Sequence, residues 1–147
     1  MNIFLLNKKS AFIIYVIVDS LLLAIGMGVP IFCILLGFPV GWYISKRVNN
    51  SDIDLRESLG HILKYSFLTS LVTFLWMIVI WIPISLMLFN PNADYANFGI
   101  PMFLYDPKIS FIGWIILMIF ISPFLQMLTT VFAALLTLWS LLKKDLK

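Results

Sequence analysis

Residues 12–44 form a run of thirty-three in which Asp19 is the only acidic or basic side chain. At a rise of about 1.5 Å per residue, an unbroken helix of that length would measure roughly 50 Å, against about 30 Å for the hydrocarbon core of a bilayer. One upright crossing is too long. The segment Gly26-Met27-Gly28-Val29-Pro30 in its middle supplies a reversal, because glycine ends a helix in the left-handed conformation and proline fits the first turn of the next. The run therefore predicts two short spans, residues 11–27 and 29–45, each near the lower limit of about 17 residues for a crossing.

The distribution of charge bears on the same choice, since lysine and arginine concentrate in short cytoplasmic loops. With a hairpin, Lys8 and Lys9 share a face with Lys46, Arg47, Arg56 and Lys64. Two further spans, residues 64–89 and 109–142, bring Lys143, Lys144 and Lys147 to that face and leave Lys108 alone of the ten basic residues outside. The expected fold is thus an all-α integral membrane bundle of four transmembrane helices forming a single domain, with both termini cytoplasmic in the plasma or inner membrane. A hydrophobic content of 62% with 12% charged residues and a mean hydropathy of +1.04 lie far outside the composition of soluble domains.

A net charge of +3 calls for no nucleic acid, because the basic residues flank spans, where orientation and anionic headgroups account for them. The N-terminal run has the look of a signal sequence, but Asp19 interrupts it and no small-residue cleavage site follows, so it is expected to stay as an anchor. Cys33 is the only cysteine, which excludes an intrachain disulfide and a cysteine-based metal cluster.

Along the chain, residues 3–6 are apolar enough to rest in the interface, and Ser10 is a candidate cap for the first helix. In the second helix Gly37 and Gly41 form a G-x-x-x-G pair that lets another helix approach closely, with packing inside the chain preferred to dimerisation; Pro39 between them is expected to kink it. Residues 52–63, opened by a capping-box pattern at Ser51 and Asp54, read as a short amphipathic helix on the cytoplasmic surface. Ser66, Thr69, Ser70 and Thr73 crowd the first half of the third span. Residues 90–108 make a long external loop whose centre is too apolar for free solvent, so it should fold back on the bundle. In the last apolar run, Ser122-Pro123 predicts a bend within one continuous helix.

Asp19 is the residue that needs a reason. A charged carboxylate at mid-span costs about 2.5 to 3.5 kcal/mol even on the lenient insertion scale, and no proposed span holds a lysine or arginine to pair with it. Two readings follow. Asp19 is a neutral acid hydrogen-bonded to Tyr15, Gln126 or a threonine, or it belongs with the intramembrane acids that mark proton relays, cation sites and subunit contacts. Otherwise the inventory is thin, with no phosphate-binding loop, no histidine pair for a metal, no nucleophile triad and no sign of a cofactor. The sole histidine, His61, reads as an interfacial polar residue.

Four spans with an acid in the middle of the first is similar to the small multidrug-resistance exporters. This chain is longer, its acid is an aspartate, and its external loop and cytoplasmic helix depart from that compact pattern, so the resemblance is confined to Asp19 and the span count. The function expected is a multi-pass membrane protein without enzymatic activity, embedded in lipid and acting as a homo-oligomer or with other membrane subunits. The alternative is a small proton- or cation-coupled transporter or channel that uses Asp19.

Overall fold

The computed structural model describes residues 7–49 and 54–145, and among them every regular element is helical. Helix α1 is Lys8–Ile25, α2 is Ile31–Asn49, and α3 is Leu55–Ser85, extended by a 3-10 turn at Leu86–Phe89. The final stretch is α4, Pro107–Ile116, then a π turn at Leu117–Ile121, then α5, Ser122–Asp145. Three segments are long and apolar enough to cross a membrane: Ile31–Asn49, Leu55–Phe89 and Pro107–Lys143. Helix α1 is not among them, because its eighteen residues include Lys8, Lys9 and Asp19.

The reversal between α1 and α2 falls where the glycines and Pro30 predict it, but its backbone differs from the expectation. Gly26 keeps an ordinary φ of −75°, and the left-handed residues are Met27 (φ 52°) and Gly28 (φ 82°). The Gly28 amide reaches back to the Leu23 carbonyl at 3.0 Å and the Met27 amide to that of Ala24 at 3.1 Å. This is the Schellman pattern, with a methionine where glycine usually sits. Trp81 ties the turn to α3 by donating from Nε1 to the Gly28 carbonyl at 3.2 Å. Helix α1 begins at Lys8, so Ser10 lies inside it and does not cap it.

A second correction concerns residues 52–63. Of these, residues 52 and 53 lie outside the described residues, and the rest form no separate surface helix: Asp54 is the N-cap of α3, and from Leu55 the helix runs without a break to Ser85. The reason is packing. Ser58 and Ile62 are buried, and Ile62 sits in an apolar cluster with Ile44, Val48, Ala134 and Leu138, which holds the first turns of α3 against α2 and α5. Leu55, Leu59 and Leu63, at helical spacing, form an exposed apolar stripe on the same turns. Ser51 and residues 3–6, which carried the capping-box and interfacial readings, lie outside the described residues.

The bend near Ser122-Pro123 takes the form of the π turn immediately before it. Proline has no amide hydrogen for the carbonyl four residues back and crowds it. Here the Ser122 amide bonds to the Leu117 carbonyl, five residues back, and Ser122 Oγ donates to the same oxygen at 2.9 Å. The loop between α3 and α4 is tied to α4, where Trp114 Nε1 donates to the Pro101 carbonyl at 2.8 Å. Ser110 Oγ accepts from the Leu104 amide at 2.9 Å, and Tyr95 and Phe98 pack on Phe111. Asn97 donates to Asp94 through side chain and backbone and holds that carboxyl below its usual range.

Helices α2 and α5 pack most extensively against each other, with α3 beside both, and α1 touches α2 and α3 only lightly. Two apolar clusters lie at different heights in the bundle. Towards the loop between α3 and α4 are Leu23, Cys33, Met77, Trp81, Met118 and Ile119; at the other end is the cluster around Ile62. The outward faces are apolar too, with Ile17, Leu35, Val79, Phe120 and Phe132 all exposed, the pattern of a surface in contact with lipid rather than water.

Candidate functional site

Between the two apolar clusters lies a buried polar layer. Tyr15 and Asp19 are one turn apart on α1 and therefore share a face, which is turned inward, Asp19 being 0% exposed. On α3, Ser66, Thr69, Ser70 and Thr73 recur at helical spacing and are all buried. Gln126 and Thr130, a turn apart on α5, complete the layer, each 1% exposed.

Asp19 is met by two other helices. Thr73 Oγ1 lies 3.1 Å from Oδ1 and 3.0 Å from Oδ2, and Gln126 Nε2 lies 3.4 Å from Oδ1. The same Gln126 nitrogen donates to the Tyr15 hydroxyl at 2.8 Å, which in turn donates to the Thr69 carbonyl at 2.9 Å. The Cys33 thiol, on α2, points at the Asp19 carbonyl oxygen at 3.6 Å. Groups from α1, α2, α3 and α5 thus converge on one acid. Among the described residues no basic side chain is found hydrogen-bonded to Asp19; His61 Nε2 and Glu57 Oε1, 3.8 Å apart on α3, belong to a separate contact.

The residues that the sequence nominated behave as follows. Tyr15, Asp19 and Gln126 are brought together, although Gln126 is more than a hundred residues away along the chain. Gly37 and Gly41 stand apart from them, facing α5. A methyl group at Gly37 would strike Thr129 Oγ1, and one at Gly41 the backbone oxygen of Thr130. Close approach also lets hydroxyls bond across to neighbouring backbones: Thr129 Oγ1 to the Ile34 carbonyl at 2.9 Å, Ser45 Oγ to that of Ala134 at 2.8 Å, and Ser70 Oγ to that of Pro123 at 2.7 Å.

Sequence reasoning named threonine as a partner class for the acid but did not single out Thr73; its place on one helical stripe with Ser66 and Thr69 was the available signal. Cys33 beside the Asp19 backbone left no such trace. Two buried polar atoms, Ser66 Oγ and Gln126 Oε1, lack a hydrogen-bond partner among the described residues.

A groove of about 530 Å³ opens between α1, α2 and α3 at the end away from the loop that joins α3 to α4. Its mouth carries Lys8, Lys9, Arg47 and His61, and its inner end reaches Tyr15 and Thr69 of the polar layer. The sequence matches no family model, and comparison with characterised proteins and with solved structures yields no match either.

Proposed function

We propose that this chain is a four-span protein of the plasma or inner membrane, with both termini cytoplasmic. It has no catalytic role and works as an oligomer or as the membrane subunit of a larger assembly. The observation that carries the reading is the enclosure of Asp19, whose oxygens find their partners on α3 and α5 of the same chain. An acid satisfied in this way is a joint between helices. For the fourth span, the support is the fit of α1 to α2. They are joined by a tight reversal, contain 18 and 19 residues, and so have nearly the same length, about 27 Å at the helical rise. For assembly, the support is the light packing of α1 and its apolar outer edge of Ile13, Ile17, Leu21 and Ile25.

The test has two parts. In a Cys33→Ala background, single cysteines at Asn7 and Arg56 are expected to react with an impermeant maleimide from one side and a cysteine at Asn97 from the other. Asn7 reacting together with Asn97 removes the fourth span. On a native gel the wild-type chain is expected to run above the mass of one copy, and Asp19→Asn to run with it; a wild type that runs as a single copy without partners overturns the assembly reading.

A second reading, a proton- or cation-coupled transporter, is favoured by one observation: Tyr15 and Thr69 belong both to the polar layer and to the wall of the groove. In proteoliposomes it requires wild type to dissipate a pH or cation gradient and Asp19→Asn to abolish that flux. The leading reading expects no such flux from either.

A further inference from the structure

The groove between α1, α2 and α3 is divided in its chemistry. Phe12, Val18, Leu36, Val40 and Leu68 give it apolar walls, while three basic side chains, Lys8, Lys9 and Arg47, gather at its mouth. Lys8 and Lys9 are exposed, and Arg47 Nη1 is steadied by the Tyr43 hydroxyl at 2.8 Å. At the inner end the polar atoms are already engaged. The Tyr15 hydroxyl donates to the Thr69 carbonyl and accepts from Gln126, and Thr69 Oγ1 donates to the Tyr65 carbonyl at 3.0 Å. An occupant that is charged at one end and apolar along its length fits this division; a polar solute does not. Glu57, 3.8 Å from His61, does not line the groove.

We propose that the groove is a binding site for an anionic phospholipid of the cytoplasmic leaflet, with one acyl chain between α1, α2 and α3 and the phosphate among Lys8, Lys9 and Arg47. Charge complementarity is what selects this occupant. Lipid tails are as apolar in the bilayer as between helices, so the tail gains little by entering, whereas basic pockets between membrane helices on the cytoplasmic side hold anionic headgroups. The volume of about 530 Å³ falls within the range of about 300 to 1,000 Å³ usual for ligand sites. The choice of leaflet rests on the topology proposed above, and the maleimide test reports on topology without reference to lipid.

The experiment uses the full chain reconstituted in phosphatidylcholine vesicles at about 0.15 M salt, where exposed charges are screened beyond roughly 8 Å. Spin-labelled phosphatidylglycerol and spin-labelled phosphatidylcholine are compared for motionally restricted chains. Each basic side chain near the headgroup is worth about fivefold in association, so the wild type is expected to restrict phosphatidylglycerol at least tenfold more strongly. Unlabelled phosphatidylglycerol should displace it saturably. The Lys8→Gln/Lys9→Gln/Arg47→Gln variant should bring the two lipids to near equality. Val18→Phe and Leu36→Phe, placed on opposite walls with every charge retained, should each lower the restricted fraction severalfold.

Equal restriction of the two lipids by the wild type, or displacement that never saturates, overturns the site without reliance on any variant. Preference that survives loss of the three charges overturns the headgroup contact. Restriction unchanged in both wall variants leaves a surface patch in place of a groove site. A chain lacking residues 1–6 that restricts more lipid than the full chain makes that segment the occupant instead.

Discussion

Thr73 Oγ1 sits between the two carboxylate oxygens of Asp19, 3.1 Å from one and 3.0 Å from the other, with both residues 0% exposed. A hydroxyl shared so evenly joins α1 to α3, two helices that otherwise touch little. Hydrogen bonds of this kind in membrane bundles average about 0.6 kcal/mol in double-mutant cycles and reach about 1.7. The cycle built from Thr73→Val and Asp19→Leu is expected to show a coupling within that range, read from unfolding in mixed micelles. A coupling near zero would mean that the two side chains are neighbours without energetic dependence.

The glycines offer an internal comparison. Gly41→Ala places a methyl group against the backbone oxygen of Thr130 and 2.9 Å from the Ala133 Cβ, where neither backbone nor Cβ can swing aside. Overpacking of this kind costs about 1 to 3 kcal/mol, so Gly41→Ala should lower the thermal midpoint clearly. Gly60→Ala, at a position with nothing within 4 Å, should instead stabilise α3 by up to about 1 kcal/mol through helix propensity. Equal effects at the two sites would show that contact between α2 and α5 does not depend on the glycine.

Met27 occupies a left-handed position with φ of 52° and is 91% exposed, so its side chain contributes almost no packing to offset backbone strain. The left-handed conformation costs an L-residue about 1 to 2 kcal/mol, and glycine gives back about half of that in the greater freedom of its unfolded chain. Met27→Gly is expected to stabilise the hairpin by about 0.5 kcal/mol, and Met27→Val to destabilise it, since a β-branched residue resists this conformation most. Denaturation by a graded detergent series would rank the three.

Pro123 accounts for the π turn if its missing amide is the cause. Pro123→Ala then supplies a donor to the Ile119 carbonyl and allows Leu117–Ile121 to close into an α-helix, which rotates α4 relative to α5 by about 100°. Spin labels at Ile112 and Leu128, both exposed, should move by several ångströms relative to each other. An unchanged distance would assign the turn to the packing of Met118 and Ile119 and to the Ser122 hydroxyl rather than to the proline.

Several features were legible in the residues because they depend on local chemistry. The reversal at Gly26 to Pro30 and the disturbance beside Pro123 follow from backbone restrictions, whereas the apolar loop returns only in part: Phe98 and Ile100 pack on the bundle, and Met102, Phe103, Leu104 and Tyr105 stay exposed. The membrane class follows from hydropathy, which is additive along the chain. The continuity of α3 was not legible. A polar, amphipathic start is compatible with a surface helix, and only the seating of Ile62 among Ile44, Val48 and Leu138 decides that it extends the span.

What the sequence determined by itself was that one acid stands in an apolar run without a basic partner, since that follows from the order of side chains alone. Tertiary structure decided what the acid meets. Tyr15, Thr73 and Gln126 lie on three helices separated by tens of residues, and periodicity gives each helix a face without saying which faces meet. The same holds for the groove, whose basic mouth gathers Lys8, Arg47 and His61 from α1, α2 and α3. Their convergence depends on the way the helices cross and on the reach of each side chain, and that geometry is set by packing across the whole bundle.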